Sequence, residues 1–218
     1  ARFLVSSGSD RSIRFSSIFK DNQNFEFSQG SVSTTASTLT ISDEAAKFSE
    51  VSSIDLFRTK TLKWDNMLTS HKDSSKAKTW RFDRKTIGQH SLESSDKSVI
   101  SHVSISSCGN YGILSTYSGL IDIFNLQSGI KRKSIKAFSG IPVISSYTDS
   151  TNSNIIAISA AGEIKSFEFS KGAQTSSLDL SIDVSSVAIN RDTELISLAC
   201  SDHSIKVLDF SAMRLVRM

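Results

Sequence analysis

The residues best able to do chemistry are four histidines, His71, His90, His102 and His203, and two cysteines, Cys108 and Cys200. No histidine stands at ligand spacing from another His or Cys, so the sequence offers no structural zinc site. Cys108 falls in a predicted turn. Cys200 falls on a predicted inner strand, where it serves as a small core residue. A nucleophile needs a base and a group that orients the base, and no such set is recognisable. There is no phosphate loop and no dinucleotide fingerprint; Gly109 and Gly112 read as turn glycines serving the backbone. His203 reads as an exposed turn residue after Asp202. The expectation is no catalytic set, no cofactor, no metal and no small-molecule substrate.

Charge and aromatic side chains offer a different chemistry. Between Arg58 and Lys85 stand nine basic residues (Arg58, Lys60, Lys63, Lys72, Lys76, Lys78, Arg81, Arg84, Lys85) against three acids (Asp65, Asp73, Asp83). Trp64 and Trp80 lie among them. Basic residues beside aromatics can hold phosphates and stack bases, although a solvated face is the plainer reading. A second basic cluster, Lys131, Arg132 and Lys133, follows the turn containing Gln127. Trp64, Asp65, Gln127, Lys131, Arg132 and Lys133 are therefore the candidate contacts to a protein or RNA partner.

The elements that position these residues must be mostly strands. The chain has 218 residues, a formal net charge of +3 and a pI near 8.9. That mild basicity does not by itself identify a nucleic-acid partner. The 46 serines favour turns and strand edges over helices. With a single proline, Gly, Asn, Asp and Ser must make the turns. No apolar run approaches the ~20 residues of a membrane helix. Two lone thiols fit a reducing compartment.

An eight-residue frame recurs: DRSIRFSS from Asp10, SSKAKTWR from Ser74, SGLIDIFN from Ser118, AGEIKSFE from Ala161 and DHSIKVLD from Asp202. Successive starts are 64, 44, 43 and 41 residues apart. A WD-type propeller blade occupies ~40–45 residues, so the last three intervals are single blades and the first holds an insertion. The frame predicts a turn and then the third strand of each blade. Asp10 and Asp202 would accept backbone N–H groups in that turn; Ser118 and Ala161 would have lost the tie. The bulky position is Ser16, Trp80, Phe124, Phe167 and Leu208, packed between blades.

The fold class is thus all-β: a WD-repeat β-propeller of about five four-stranded blades, part of a larger, incomplete ring. The blades are framed near 1–27, 68–100, 101–138, 139–178 and 179–218. Residues 28–67 are the insertion. Within it, 28–46 lacks an apolar period and reads as a mobile loop, followed by a short helix capped by Ser42. The strands nearest the axis read as aliphatic and Ser-rich, with no convergent polar set.

The stretch SCGNYGILSTYSGLIDIFNLQSGIKRKS, Ser107 to Ser134, resembles the second propeller of the U-three protein twenty-one family, the WD-repeat thirty-six type. WDNMLTSHK from Trp64 and TWRFDRKTIG from Thr79 are similar to that family's insertion and the blade after it. LVSSGSDRSIRFSSI from Leu4 and DHSIKVLDFSAMRLVR from Asp202 are similar to flanking blades. The family's usual His is Lys131 here, and residues 28–46 and 136–155 match nothing in its pattern. The resemblance implies a non-catalytic scaffold of the small-subunit processome in the nucleolus. It would help assemble the U-three small nucleolar ribonucleoprotein on pre-ribosomal RNA, with other processome proteins as partners and RNA met through basic loops. The rival classes are another WD scaffold (a ubiquitin-ligase substrate receptor or a trafficking subunit) and a propeller enzyme.

Overall fold

A computed structural model describes residues 3–40, 42–57, 63–191 and 193–217. Among these described residues, nineteen strands form five antiparallel sheets, each a simple meander. The first blade has three strands, β1 (Phe3–Ser7), β2 (Ile13–Ser17) and β3 (Phe25–Glu26). The other four have four strands each. They are β4–β7 (Val51–Leu56, Met67–His71, Lys76–Arg81, Thr86–Glu93) and β8–β11 (Ile100–Ile105, Tyr111–Thr116, Leu120–Asn125, Lys131–Lys136). Then come β12–β15 (Val143–Thr148, Asn154–Ser159, Glu163–Glu168, Gln174–Asp179) and β16–β19 (Val184–Asn190, Leu195–Cys200, Ile205–Asp209, Arg214–Arg217). This is a five-bladed propeller architecture, as the repeat frame predicts.

The second blade begins earlier than its sequence frame. Strand β4 lies inside the span expected as insertion, 28–67. The β4–β5 register shifts between Val51 and Ser53, as it does at the start of β8, β12 and β16; β4 differs in that Ser52, Ser53 and Asp55 make half of its six residues polar. The true connection is 28–50. It carries helix α1 (Val32–Leu39) and helix α2 (Asp43–Ala46). The loop expected over 28–46 is therefore partly helical, and α2 follows Ser42 as expected. Helix α1 has a single buried side chain, Ala36, and its Thr35 and Thr38 hydroxyls bond back to the carbonyls of Ser31 and Thr34. Those weak helix formers hide it from a periodicity reading. Both ends of the connection are tied down. Gln29 donates to the Arg11 carbonyl at 2.6 Å and accepts the Phe48 N–H at 2.9 Å. Ser28 bridges in parallel to Thr86 on the outer strand β7.

The core is four apolar clusters, one for each junction between successive blades. A central blade is buried on both faces, so its strands are apolar on both sides. In β13, Ile155 and Ala157 pack toward the third blade, whereas Ile156 and Ile158 pack toward the fifth. The repeat frame supplies the polarity. Its bulky residue faces the preceding blade: Trp80, Phe124, Phe167 and Leu208 are at most 5% exposed. Its aliphatic residue, three places earlier, faces the next blade: Ile13, Ala77, Ile121 and Ile164 are at most 1% exposed. Ile205 occupies that position in the fifth blade and is 66% exposed. Ser16, the small bulky-position residue, lies on the face of the first blade turned away from the second, opposite the exposed Leu4.

The turn before each third strand is held by a side-chain oxygen in every blade. Asp10 accepts the N–H of Ser12, and Asp202 that of Ser204. Where the aspartate is absent, a hydroxyl takes over: Ser74 for Lys76, Thr116 for Leu120 and Ser159 for Glu163. The tie expected to be lost at Ser118 and Ala161 is thus replaced from the end of the preceding strand. The same turns need one left-handed residue. Gly119 and Gly162 supply it in the third and fourth blades, with φ of 93° and 84°. His203 supplies it in the fifth, with φ of 62°. Gly112, expected in a turn, lies in β9, where a Cβ would meet Leu126 Cδ2 at 2.8 Å.

Candidate functional site

Antiparallel meanders send their turns to two opposite faces. Turns between first and second strands and between third and fourth strands open on one face. The remaining turns and the crossovers between blades open on the other. Such loops are where a rigid scaffold presents binding groups.

The sequence-predicted contacts divide sharply between structural and presented residues. Asp65 is 3% exposed. Its Oδ2 accepts the Thr79 hydroxyl at 2.6 Å and the Gln89 N–H at 2.7 Å, and a Cβ at Gly88 would sit 2.1 Å from it. Asn66 donates to the Phe57 carbonyl and accepts the Phe82 N–H. Trp64 is half-buried against the junction of the second and third blades, and its indole N–H donates to the Gly109 carbonyl at 3.1 Å. The Trp64–Asp65–Asn66 motif is an internal brace, so Asp65 is corrected from a partner contact to a structural residue. A buried carboxylate is kept only where donors satisfy it, and two donors do so here.

Gln127 is exposed, its N–H held by Asn125 and its carbonyl accepting from His90 Nε2 at 3.2 Å. Lys131 reaches Ser95 Oγ at 2.6 Å in the crossover from the second blade. Lys133 donates to the Ser170 carbonyl in the fourth blade. Arg132, between them, is exposed. The basic cluster therefore stitches the third blade to both neighbours and presents one guanidinium outward. Of the longer basic run, Arg58 and Lys60 lie outside the described residues.

A set that sequence reasoning missed gathers near the axis. Asp55 on β4 accepts Arg191 Nη2 at 2.5 Å across 136 residues of chain, and also the Ile105 N–H at 2.7 Å. His102 on β8 packs edge-on against Tyr147 on β12, with ring centroids 5.4 Å apart. Burial holds the His102 imidazole down at about 4 and pushes the Tyr147 phenol up, with Asp55 and Arg191 acting on both. This corrects the expectation that no polar set converges there. Each group is paired within the fold: His102 Nδ1 accepts the Ser146 N–H, and Ser145 donates to the Tyr147 oxygen. Only tertiary structure brings positions 55, 102, 147 and 191 together.

Burial likewise lowers the His71 imidazole. The exposed Asp202 is held down at about 2 by the Ser204 hydroxyl and N–H and by Lys206. Among the described residues, no cluster of three metal-capable side chains exists, and no helix is long and apolar enough to cross a membrane.

The family model for the WDR36/Utp21 second beta-propeller domain matches residues 1–218. The chain belongs to the WDR36/Utp21 second-propeller family. It is 37% identical over 217 residues to the U3 small nucleolar RNA-associated protein 21 homolog of Schizosaccharomyces pombe, covering 99% of this chain and 24% of that protein. It is 31% identical over 229 residues to U3 small nucleolar RNA-associated protein 21 of Saccharomyces cerevisiae, covering 100% and 23%. It is 30% identical to WD repeat-containing protein 36 of Homo sapiens over 161 residues, covering 71% and 18%. This WDR36/Utp21 propeller thus spans about a quarter of the length of the two yeast relatives.

Proposed function

We propose that this propeller is a non-catalytic scaffold of the small-subunit processome, acting in the nucleolus. It helps assemble the U-three small nucleolar ribonucleoprotein on pre-ribosomal RNA by holding other processome proteins. The observation that carries this reading is the family match over the full length of the chain, to relatives named for association with U3 small nucleolar RNA. The architecture supports it. The central blades are buried on both faces and give their loops a firm support, and a preorganised surface loses little entropy on binding. The axial polar groups are engaged with one another.

Presented side chains on the loop faces, Arg132 and Gln127 foremost, are the contact residues in this reading. Affinity purification of the tagged full-length protein, carrying Arg132→Glu and Gln127→Ala, tests it. Reduced recovery of U3 RNA and of processome proteins, with unchanged expression, is the expected result. Full recovery removes these residues as contacts. Failure of the unsubstituted protein to recover U3 RNA at all, with recovery of ubiquitin-ligase or coat subunits instead, overturns the scaffold assignment in favour of a different WD-repeat scaffold.

A further inference from the structure

The turn after β2 builds a groove that the scaffold reading does not use. Ser17 Oγ accepts the N–H groups of both Phe19 and Lys20, which organises the loop and leaves the Phe19 ring 74% exposed. Phe19, Phe3 and Phe15 line a groove of about 600 Å3, together with Ser17, Lys20 and Gln23. Its apolar wall is entirely phenyl among the described residues. Behind that wall Phe15 stacks on Phe25 at 4.6 Å, and Lys85 Nζ lies 4.4 Å from the centre of the Phe25 ring. Cations thus stand on the rim and one ring behind it. No described carboxylate lines the groove. Glu26 is turned to Ser12 and Lys47, and the side chain of Asp21 in the same loop lies outside the described residues.

We infer that this groove binds single-stranded nucleic acid, with an unpaired base stacked on Phe19 against the phenyl wall and the adjoining phosphate on Lys20. Three features favour this occupant over a peptide. Phenyl faces accept any base, because every base has a π-face. An exposed lysine beside them suits a phosphate. The Gln23 amide at the rim can donate to and accept from a base edge. The inference stands apart from the scaffold reading, because it concerns direct contact with a polynucleotide and can hold or fail whatever proteins the domain binds.

The test is fluorescence anisotropy of the 218-residue chain with a fluorescein-labelled oligouridylate of about twelve nucleotides, within the usual site size for such grooves. Saturable binding is expected. Phe19→Ala should weaken it about tenfold, the usual range for losing one base–aromatic stack, whereas Phe19→Trp should retain it. Lys20→Glu should weaken it and reduce the salt slope by about 0.7. Both positions are exposed, and circular dichroism of each variant checks the fold. The inference is overturned if binding is absent, if Phe19→Ala binds as the unsubstituted chain does, or if duplex RNA of the same sequence length binds equally well. It is also overturned if a glutamate- and tyrosine-containing peptide displaces the oligonucleotide at equal concentration, which would make the groove a peptide site.

Discussion

The junction between the first two blades and the junction between the fourth and fifth use the same repeat position in different ways. Trp80 fills it in the first case and Leu208 in the second, both fully buried. Leucine asks only for apolar neighbours, and Ile196, Leu198 and Ile164 supply them. Tryptophan carries an N–H that must be satisfied when buried. Trp80 donates to Thr69 Oγ1 at 2.8 Å, Thr69 meets His71 Nε2 at 3.0 Å, and His71 Nδ1 meets the Ser49 carbonyl at 2.7 Å. A carbonyl only accepts, so Nδ1 carries a proton; burial disfavours a second one on the ring, and the neutral Nε2 then accepts from the Thr69 hydroxyl. The place of Thr69 in the third, fourth and fifth blades, two residues beyond the partner of the bulky residue, is aliphatic: Leu114, Ala157 and Leu198, all fully buried. Polar residues enter the core here because a tryptophan needs them. The last acceptor comes from the end of the insertion, so the insertion completes the core of this junction.

The comparison breaks most directly at Trp80. Trp80→Ala should destabilise the chain by about 3–5 kcal/mol, read as a lower urea midpoint. It should also free the insertion, read as faster amide exchange over residues 28–50. A Phe167→Ala variant of similar cost should leave that segment protected. Equal exchange in the two variants would show that the insertion is not coupled to Trp80.

The aliphatic position sharpens the comparison through burial. Ile164→Ala empties a filled site and should cost about 2–5 kcal/mol. Ile205→Ala removes the same atoms from a residue that is 66% exposed and should stay within about 0.5 kcal/mol. Similar losses at both positions would mean that the outer face of the fifth blade is covered in solution.

Thr69→Val removes the middle of the polar chain. It leaves the Trp80 N–H and His71 Nε2 unmatched and should cost about 1–3 kcal/mol. Adding Trp80→Phe should recover part of that loss, because the donor that needed Thr69 is then gone; a double-mutant cycle measures the coupling. Additive losses would deny the chain any meaning as a unit.

These features were unequally legible in the sequence. The blades were readable because the frame repeats every 41–44 residues after Ser74 and the bulky residue of each of those copies packs on the preceding blade. Strand β4 was not, because Ser52, Ser53 and Asp55 make half of it polar, and α1 was not, because Ser and Thr carry no helical period. Asp65 reads as a contact because a Trp beside an Asp in a basic stretch looks like surface; its partners Thr79 and Gln89 show that it is buried. The pair Asp55–Arg191 has no local signature at all. The Phe19 groove was within reach, since an aromatic and a lysine in a turn stand out, but its wall comes from Phe3 on another strand.

Acid acts on the first junction through His71 and on the axial set through His102. His71 and His102 are both held below the usual histidine value by burial. Between about 6.5 and 4 the unfolded chain therefore binds protons that the fold excludes, and stability must fall as pH falls. The His102 contribution is complete above about 6.5 and lost by about 4, where Asp202 begins its own loss toward about 2; the His71 contribution is lost in the same direction. Urea midpoints across this range should decline. His102→Asn should flatten the limb, as should His71→Asn, and a midpoint independent of pH above 4 in the unsubstituted chain would contradict both assignments.

The smallest effect tests whether a hydroxyl truly replaces the turn aspartate. Ser159 is buried, and its hydroxyl accepts the Glu163 N–H at 3.0 Å. Ser159→Ala should cost about 1 kcal/mol. Ala161 stands where Asp202 stands in the fifth blade, so Ala161→Asp in the Ser159→Ala background should restore most of the loss by capping the same turn from its other side. The order of the effects matters more than their size. If Ala161→Asp stabilises the unsubstituted chain as much as it does the Ser159→Ala variant, the two oxygens act on different donors. If it helps only when Ser159 is gone, the blades keep one hydrogen-bonding requirement in this turn and meet it from either end.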